Sequence, residues 1–99
     1  MPKIAAPPPT GSLTISGAGT SGVNGLYLAD GVFGLFGRMS YKKDASNYCW
    51  NDGSSNTYFL SAAKGTYTNS YQVSSSTPAV LFTIKTGNYA DPKPTGAIN

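Results

Sequence analysis

The sequence predicts an all-β fold, a small antiparallel β-sandwich or barrel-like domain that carries an extended proline-rich N-terminal arm. Helix-favouring residues are scarce, whereas the 99 residues include twelve Gly, seven Pro and seven Tyr. Turn signals recur about every eight to twelve residues, which is typical of short antiparallel strands. Residues 12–88 contain no apolar stripe of helical period long enough for a helix. Together these observations exclude a helical bundle or a dinucleotide-binding α/β fold.

Eight segments bounded by turn residues are predicted strands. Alternation gives the core face of the first, where Leu13 and Ile15 lie on one side. It also gives the core face of the last, with Val80, Phe82 and Ile84 on one side. The predicted strands are 12–16, 25–29, 32–36, 38–43, 47–51, 56–61, 66–74 and 79–85.

Two dipeptides are predicted hairpin turns. Asn24-Gly25 and Asp52-Gly53 both tolerate the positive φ that tight hairpins require. The second gives the stronger signal because aromatic strands flank it on both sides.

The chain ends are predicted to lie outside the β-domain, which we place at 12–88. Residues 1–11 contain four prolines, three of them consecutive, and this favours polyproline II in an arm that either frays or binds a partner. Residues 89–99 have spaced prolines and few large apolar side chains, so they are predicted to form a C-terminal tail that runs extended over the surface.

The composition argues against most catalytic and metal sites. Histidine and glutamate are absent, so an imidazole base, a histidine-rich zinc site and a paired-glutamate site cannot be built. Each carboxylate lies in a predicted turn, where its side chain is expected to bond nearby backbone. We therefore predict no enzyme activity, no metal and no cofactor. The carboxylates are Asp30, Asp44, Asp52 and Asp91.

Charge and cysteine content indicate which partners and which cellular compartment to expect. The formal net charge of +3 is spread along the chain instead of forming the basic patch that nucleic-acid binding needs. Cys49 is the only cysteine, so an intrachain disulfide is excluded, and we expect a buried, inert thiol in a reducing cytoplasm. The chain has no apolar signal-peptide core and no long apolar run, so we expect a soluble protein without a membrane span.

The glycine-rich stretch 16–22 is interpreted as a flexible connection. A phosphate-binding loop needs a helix N-terminus directly after it, whereas a predicted strand follows here.

Aromatic residues are the most informative class. Tyr48 and Trp50 share a face of one predicted strand, and the following hairpin would bring Tyr58 alongside them. The three rings are either a stacking platform for sugars or unpaired bases, or part of the core. The polar neighbours of such a platform would be Asn51, Asn56 and Gln72.

Segment 32–36 has large apolar residues on both faces of a predicted strand. Val32 and Phe36 alternate with Phe33 and Leu35, so both faces need a cover, either from the core or from another chain. We predict an interface that includes Phe33, Leu35 and Phe36, with Pro7, Pro8 and Pro9 as a contacting arm.

Several short motifs follow one another in a fixed order along the chain. They are SGAGTSGVNGLY (16–27), GRMSY (37–41), YCWNDG (48–53), YFLS (58–61), Tyr71, Thr77-Pro78 and ADPKPT (90–95). In this order they resemble a small β-domain found singly or as repeats in bacteriophage virion and tail-associated proteins and in multidomain proteins of microbial eukaryotes. The resemblance covers about residues 16–95. The chain differs from the usual pattern at Met39, at Thr57 or Tyr58, and at Phe82, where a tryptophan is usual.

The resemblance implies a non-catalytic structural or adhesive module. It favours a virion protein, made in the host cytoplasm, that decorates a capsid or belongs to a tail or fibre. Its expected partners are copies of itself or capsid and tail subunits, through multivalent contacts. The alternative is a carbohydrate-binding module for a host surface glycan, with Tyr48, Trp50 and Tyr58 as its platform. The two interpretations differ at Trp50, which is exposed in the second and buried in the first.

Overall fold

Eight antiparallel strands form one curled sheet with the shape of a half-barrel, in a computed structural model that describes residues 7–99. The all-β prediction is confirmed. The strand order is β7-β6-β5-β4-β3-β2-β1-β8. The strands are β1 (Leu13–Ser16), β2 (Gly25–Phe33), β3 (Arg38–Asp44), β4 (Asn47–Asn51), β5 (Thr57–Ser61), β6 (Ser70–Ser74), β7 (Ile84–Thr86) and β8 (Thr95–Ile98).

The core lies on one face of this sheet, which we call the inner face. Alternate residues of the strands point into it, as the period of a strand requires. Leu13 and Ile15 are buried there, which confirms the face predicted for the first strand. The buried inner-face cluster consists of Leu13, Ile15, Ala18, Val23, Tyr27, Tyr41, Cys49, Tyr58, Leu60, Tyr71, Val73 and Phe82.

Tyrosines supply much of this core, and their hydroxyl groups reach backbone carbonyls. The Tyr27 hydroxyl donates to the Val23 carbonyl at 2.6 Å, and the Tyr71 hydroxyl donates to the Ala90 carbonyl at 2.6 Å. Each bond satisfies a polar atom that burial would otherwise leave without water. Few aliphatic residues are therefore enough for a dry interior.

Strand β2 is longer than predicted and contains an irregularity. Its first residues pair with β1 through Leu13 and Tyr27, and its later residues pair with β3. The register shifts between Ala29 and Val32, so Asp30-Gly31 forms a bulge and not a turn. The Ser40 hydroxyl holds the bulge by donating to the Gly31 carbonyl at 2.7 Å. The separate strand predicted at 32–36 is therefore wrong.

The segment 80–86 contacts both edges of the sheet. The Phe82 amide donates to the Pro94 carbonyl at 2.9 Å, next to β8, while Ile84 pairs with Gln72 of β6. Because the segment changes partners between these positions, it does not form the continuous strand predicted at 79–85. Phe82 is buried as expected, but Ile84 is 49% exposed.

The C-terminal tail predicted at 89–99 is wrong in its second half. Residues Thr95–Ile98 form β8 and pair with β1, with Ile98 opposite Leu13. The Asn99 amide continues the ladder by donating to the Ser12 carbonyl at 2.8 Å. The sheet therefore extends well beyond the predicted limit at 88.

The two predicted hairpin turns have different outcomes. Strands β4 and β5 pair as a hairpin around Asp52-Gly53, which confirms the hairpin, although the loop between them runs from 52 to 56 and is longer than a two-residue turn. At Asn24-Gly25 the connection is longer, because a 3₁₀ turn at Ser21–Val23 precedes β2. The strand predicted at 66–74 begins only at Ser70.

Candidate functional site

The hairpin between β2 and β3 carries the candidate site. Phe33 pairs with Arg38 at the last position of the ladder, and a four-residue turn, 34–37, joins the two strands. The Gly37 amide donates to the Gly34 carbonyl at 3.1 Å, and both glycines have positive φ, +77° and +61°. Glycine adopts this conformation without steric cost, so the two glycines allow the chain to reverse here.

A second hairpin supports the first from the side. The backbone at Gly53, in the β4–β5 loop, lies so close to Gly34 and Leu35 that a Cβ atom at Gly53 would collide with it. The Asn51 side chain fixes that loop by accepting a hydrogen bond from the Gly53 amide at 2.9 Å. The β2–β3 turn therefore rests on a rigid neighbour.

Four large apolar side chains are exposed at the turn end of the β2–β3 hairpin, and we call them the apolar tip. Leu35 is 92% exposed, Val32 67%, Phe36 52% and Met39 38%. Exposed apolar groups concentrated in one place are typical of binding surfaces. Leu35 and Phe36 are accessible as an interface would require, and their role in one stays a prediction.

Phe33 occupies a different environment from the apolar tip. Its ring meets Trp50 edge-on, with 5.7 Å between ring centroids and a 78° interplanar angle. The Lys64 ammonium lies 5.7 Å from the centroid of the Phe33 ring. Strand alternation predicted one face for Phe33 and Leu35, and this is wrong because β2 ends at Phe33 and alternation does not extend into the turn. A role of Phe33 in an interface stays a prediction.

Phe33 belongs to a group on the outer face of the sheet, opposite the inner core. We call Phe33, Trp50, Phe59 and Tyr67 the outer aromatic cluster. Trp50 stacks on Phe59 at 4.8 Å between centroids, and Tyr67 meets both rings edge-on. The Trp50 indole donates to the Ser61 hydroxyl at 2.9 Å. Trp50 is fully buried although it lies on the outer face.

The aromatic platform predicted from Tyr48, Trp50 and Tyr58 is not formed. In the β4–β5 pairing Trp50 is opposite Phe59, and Tyr58 is opposite Asn51, so Tyr58 points to the inner face. Tyr58 is buried, and its hydroxyl donates to the Met39 carbonyl at 2.7 Å.

The third ring of the predicted platform and its polar neighbours also make contacts within the chain. Tyr48 is half-buried, with the Lys42 ammonium 5.5 Å from its ring centroid. Asn51 is buried and donates to Asn56 at 3.2 Å, and Gln72 donates to the Ser70 hydroxyl at 3.0 Å. These amides therefore bond to groups of the same chain, in the sheet and in the β4–β5 loop.

The described part of the N-terminal arm begins at Pro7, and residues 1–6 of the predicted arm lie outside the described range. Pro7, Pro8 and Pro9 are exposed. The Ser12 amide donates to the Pro9 carbonyl at 3.0 Å, which closes a turn just before β1. A contact between this arm and a partner stays a prediction.

The four aspartates all interact with groups of the same chain. Asp44 accepts from the Ser46 amide at 2.9 Å and Asp52 from the Ser54 amide at 3.2 Å, which confirms their predicted role in turns. Asp30 instead pairs with Lys64 at 2.9 Å. Asp91 likewise pairs with Lys93 at 2.9 Å.

These contacts lower the pKa of all four carboxyl groups. Hydrogen bonds from Lys64 and Lys93 lower the pKa of Asp30 and Asp91, and one from Asn47 lowers that of Asp44. At Asp52 partial burial acts to raise the pKa, but hydrogen bonds from Ser54 and Ser55 outweigh it. All four are therefore fully charged at neutral pH.

Cys49 is fully buried in the inner core, as predicted, and burial raises the pKa of its thiol well above the usual range.

In the glycine-rich stretch the Asn24 side chain bonds both backbone groups of Ala18, at 2.9 Å to the amide and 3.1 Å to the carbonyl. This stretch is therefore tied down as a structural connection.

Residues 7–99 form no pocket, and they bring together no group of three or more potential metal ligands. In the same range no helix is long and apolar enough to span a bilayer.

Sequence reasoning missed two residues of the site, Met39 and Arg38. The signal that could have found them is the pair Gly34 and Gly37, which marks a four-residue turn and so places Met39 opposite Val32.

Comparisons with known proteins give no relative: no family model, no curated protein and no solved structure matches the chain.

Proposed function

We propose that this chain is a non-catalytic structural protein of a bacteriophage virion that decorates a capsid or forms part of a tail or fibre. Its partners are other virion proteins, either copies of itself or capsid and tail subunits. It reaches the virion after synthesis in the host cytoplasm. The observation that carries the proposal is the apolar tip, a set of exposed apolar side chains on a supported hairpin.

The apolar tip suits protein contact because it adds little to the fold itself. Leu35 is 92% exposed, so folding removes almost none of its apolar surface from water. Only a second molecule can bury this side chain. Four side chains form a small contact, below the area of a typical stable complex. Many copies on a regular lattice compensate for this through multivalency.

The support beneath the tip also favours a binding role. The turn is held by the close backbone contact at Gly53 and by the Phe33 ring on Trp50. A surface held in one geometry loses little entropy when it binds. The virion context itself comes from the resemblance of residues 16–95 to phage-associated β-domains.

The proposal is tested on phage particles purified from cells that produce the protein. Mass spectrometry should find the chain in the particles at a fixed ratio to the major capsid or tail subunit, and immunogold labelling should place it at one structure. A protein abundant in the lysate but absent from the particles would contradict the proposal.

A pair of matched variants connects the site to assembly. Leu35→Ser should lower the amount of chain per particle, because it removes the most exposed side chain of the tip. Leu81→Ser is the control, since Leu81 is also apolar and 57% exposed but lies in the segment next to β8. Equal incorporation of both variants would show that another surface makes the contact.

A further inference from the structure

The charges around the apolar tip narrow the choice of partner. Arg38 is the first residue of β3, and its guanidinium carbon lies 5.9 Å from the centroid of the Phe36 ring. Its Nε donates to the Asn56 side-chain oxygen at 3.3 Å. The ion pairs found in residues 7–99 use three lysines and do not include Arg38. Arg38 therefore brings a positive charge to the edge of the tip.

A second copy offers Arg38 few carboxylates of full attraction. All four aspartates lie in the described range, and three of them, Asp30, Asp44 and Asp91, already have a lysine of their own chain within 4.0 Å. The nearby positive charge weakens the attraction that such a carboxylate would exert on Arg38 of another copy.

Symmetry adds a further obstacle to self-association through the tip. A two-fold dimer joins the same patch on both subunits. It would therefore bring two Arg38 side chains close together in a contact that excludes water, where like charges repel most strongly. Electrostatics thus disfavours a second copy and favours an oppositely charged partner.

We infer that the apolar tip binds a different protein subunit, one that presents carboxylates beside an apolar groove. The inference rests on the proposed function and adds the chemistry of the partner. Leu35 and Phe36 enter the groove, and a carboxylate at its rim accepts hydrogen bonds from the Arg38 guanidinium, whose planar geometry matches a carboxylate. Nucleic-acid binding needs a clustered basic patch, whereas Arg38 is a single positive charge beside apolar side chains, so a protein fits better.

The experiment uses two fluorescent dyes and the isolated full chain. Anilinonaphthalene sulfonate combines an apolar ring system with an anionic group that stands in for the carboxylate. Phenylnaphthylamine is a similar apolar dye without the charge. We expect the sulfonate dye to bind more tightly, with an affinity that decreases as salt increases.

Variants separate the apolar contribution from the charge. Leu35→Ser should weaken both dyes about tenfold, the effect of losing one large apolar contact. Arg38→Gln should weaken only the sulfonate dye, about three- to fivefold, as expected for an exposed charge pair. Arg38→Lys keeps the charge without the planar geometry and should bind the sulfonate dye more tightly than Arg38→Gln. Leu81→Ser and Lys85→Gln are the matched controls away from the tip, and circular dichroism checks that each variant is folded.

Three results would overturn the inference. Equal binding of the two dyes, or sulfonate binding that Arg38→Gln leaves unchanged, would remove the role of charge. Light scattering that shows a discrete oligomer, dispersed by Leu35→Ser, would identify a second copy as the occupant. Binding of a DNA duplex of arbitrary sequence that Arg38→Gln abolishes would identify a nucleic acid instead.

These measurements are independent of the virion. Absence of the chain from particles would overturn the proposed function and leave the dye result standing. Equal binding of the charged and the uncharged dye would overturn the inference without affecting the proposal that the chain is a virion protein.

Discussion

The outer aromatic cluster and the apolar tip are neighbours in sequence, but one is covered and the other is exposed. Phe33 packs on Trp50, whereas Leu35, two residues later, is 92% exposed. The difference comes from the end of β2 at Phe33 and from the turn that follows. Side-chain alternation predicts burial only while the strand continues, so a turn can separate two apolar residues into a structural and an accessible group.

The cluster also shows how a single sheet can bury a tryptophan on its outer face. Phe59 stacks on Trp50 within the sheet, and Phe33 and Tyr67 from adjoining segments meet it edge-on. Aromatic pairs in such geometries stabilise a fold beyond the area they bury. The cluster therefore acts as a second, smaller core, which the apolar tip does not share.

Alkaline pH is expected to lower the stability of the fold more than any single substitution, because it unfolds the sheet that carries both regions. Burial is the main cause that raises the pKa of Tyr27 and of Tyr58 above the ordinary value. A raised pKa in the folded state contributes stability that is complete below the unfolded value of about 10 and is lost at higher pH. Unfolding should therefore begin above about pH 10, as followed by circular dichroism and tyrosinate absorbance. Stability that stays constant well beyond that pH would contradict the burial of these phenols.

Trp50→Ala should cost about 3–5 kcal/mol of unfolding free energy, since it leaves a cavity among the rings that cover it. Denaturant unfolding measures the loss. Leu35→Ala, at the exposed tip, serves as the matched apolar truncation and should change stability by less than about 0.5 kcal/mol. Similar losses for the two variants would mean that the two regions do not differ as described.

Gly53→Ala should cost more than Gly65→Ala, and the comparison tests the contact that supports the tip. Both glycines have positive φ, +74° and +86°. That conformation costs alanine about 1–2 kcal/mol. Only Gly53 has backbone atoms where the new methyl group would lie, while Gly65 has none within 4 Å. Equal unfolding free energies for the two variants would show that the two hairpins do not touch.

Phe33→Ala should lower stability by about 1–2 kcal/mol, less than Trp50→Ala, because Phe33 is only half-buried. It should also shift the Trp50 emission to longer wavelength, since it removes one of the rings that exclude water. Phe36→Ala is the control from the exposed tip and should leave the emission unchanged. An unchanged emission spectrum in Phe33→Ala would show that other residues exclude water from Trp50.

Leu35→Ser should have the smallest effect on folding, with thermal unfolding within experimental error of the parent chain. The expected change is in association: less binding of apolar dyes and greater solubility at high concentration. A clear loss of stability would show that Leu35 is part of the core.

Much of the fold could be predicted from the sequence, because strand alternation and turn chemistry act locally. The buried face of β1 and the β4–β5 hairpin followed from these signals alone. The pairing register did not: a shift of one residue places Tyr58 opposite Asn51 and moves it to the inner face. Strand β8 was missed because Thr95–Ile98 is short and has one large apolar residue. Its place in the sheet depends on pairing with β1, far away in the sequence.

The candidate site was predictable in composition but not in shape. The excess of apolar residues in 32–36 was visible, and it drew attention to Leu35 and Phe36, which are exposed in the structure. The bulge at Asp30-Gly31 and the early end of β2 were not visible, since both depend on the neighbouring strand. For that reason alternation placed Phe33 and Leu35 on one face, which the structure does not.

The segment 80–86 makes the two edges of the sheet depend on each other. It bonds to Pro94 and Gly96 at one edge and to Gln72 at the other. If it detached in a brief local opening, both edges would lose their partner together and would present unpaired backbone groups. Exposed edges are templates for intermolecular strand pairing. Detachment of this one short stretch would therefore open two such templates at once.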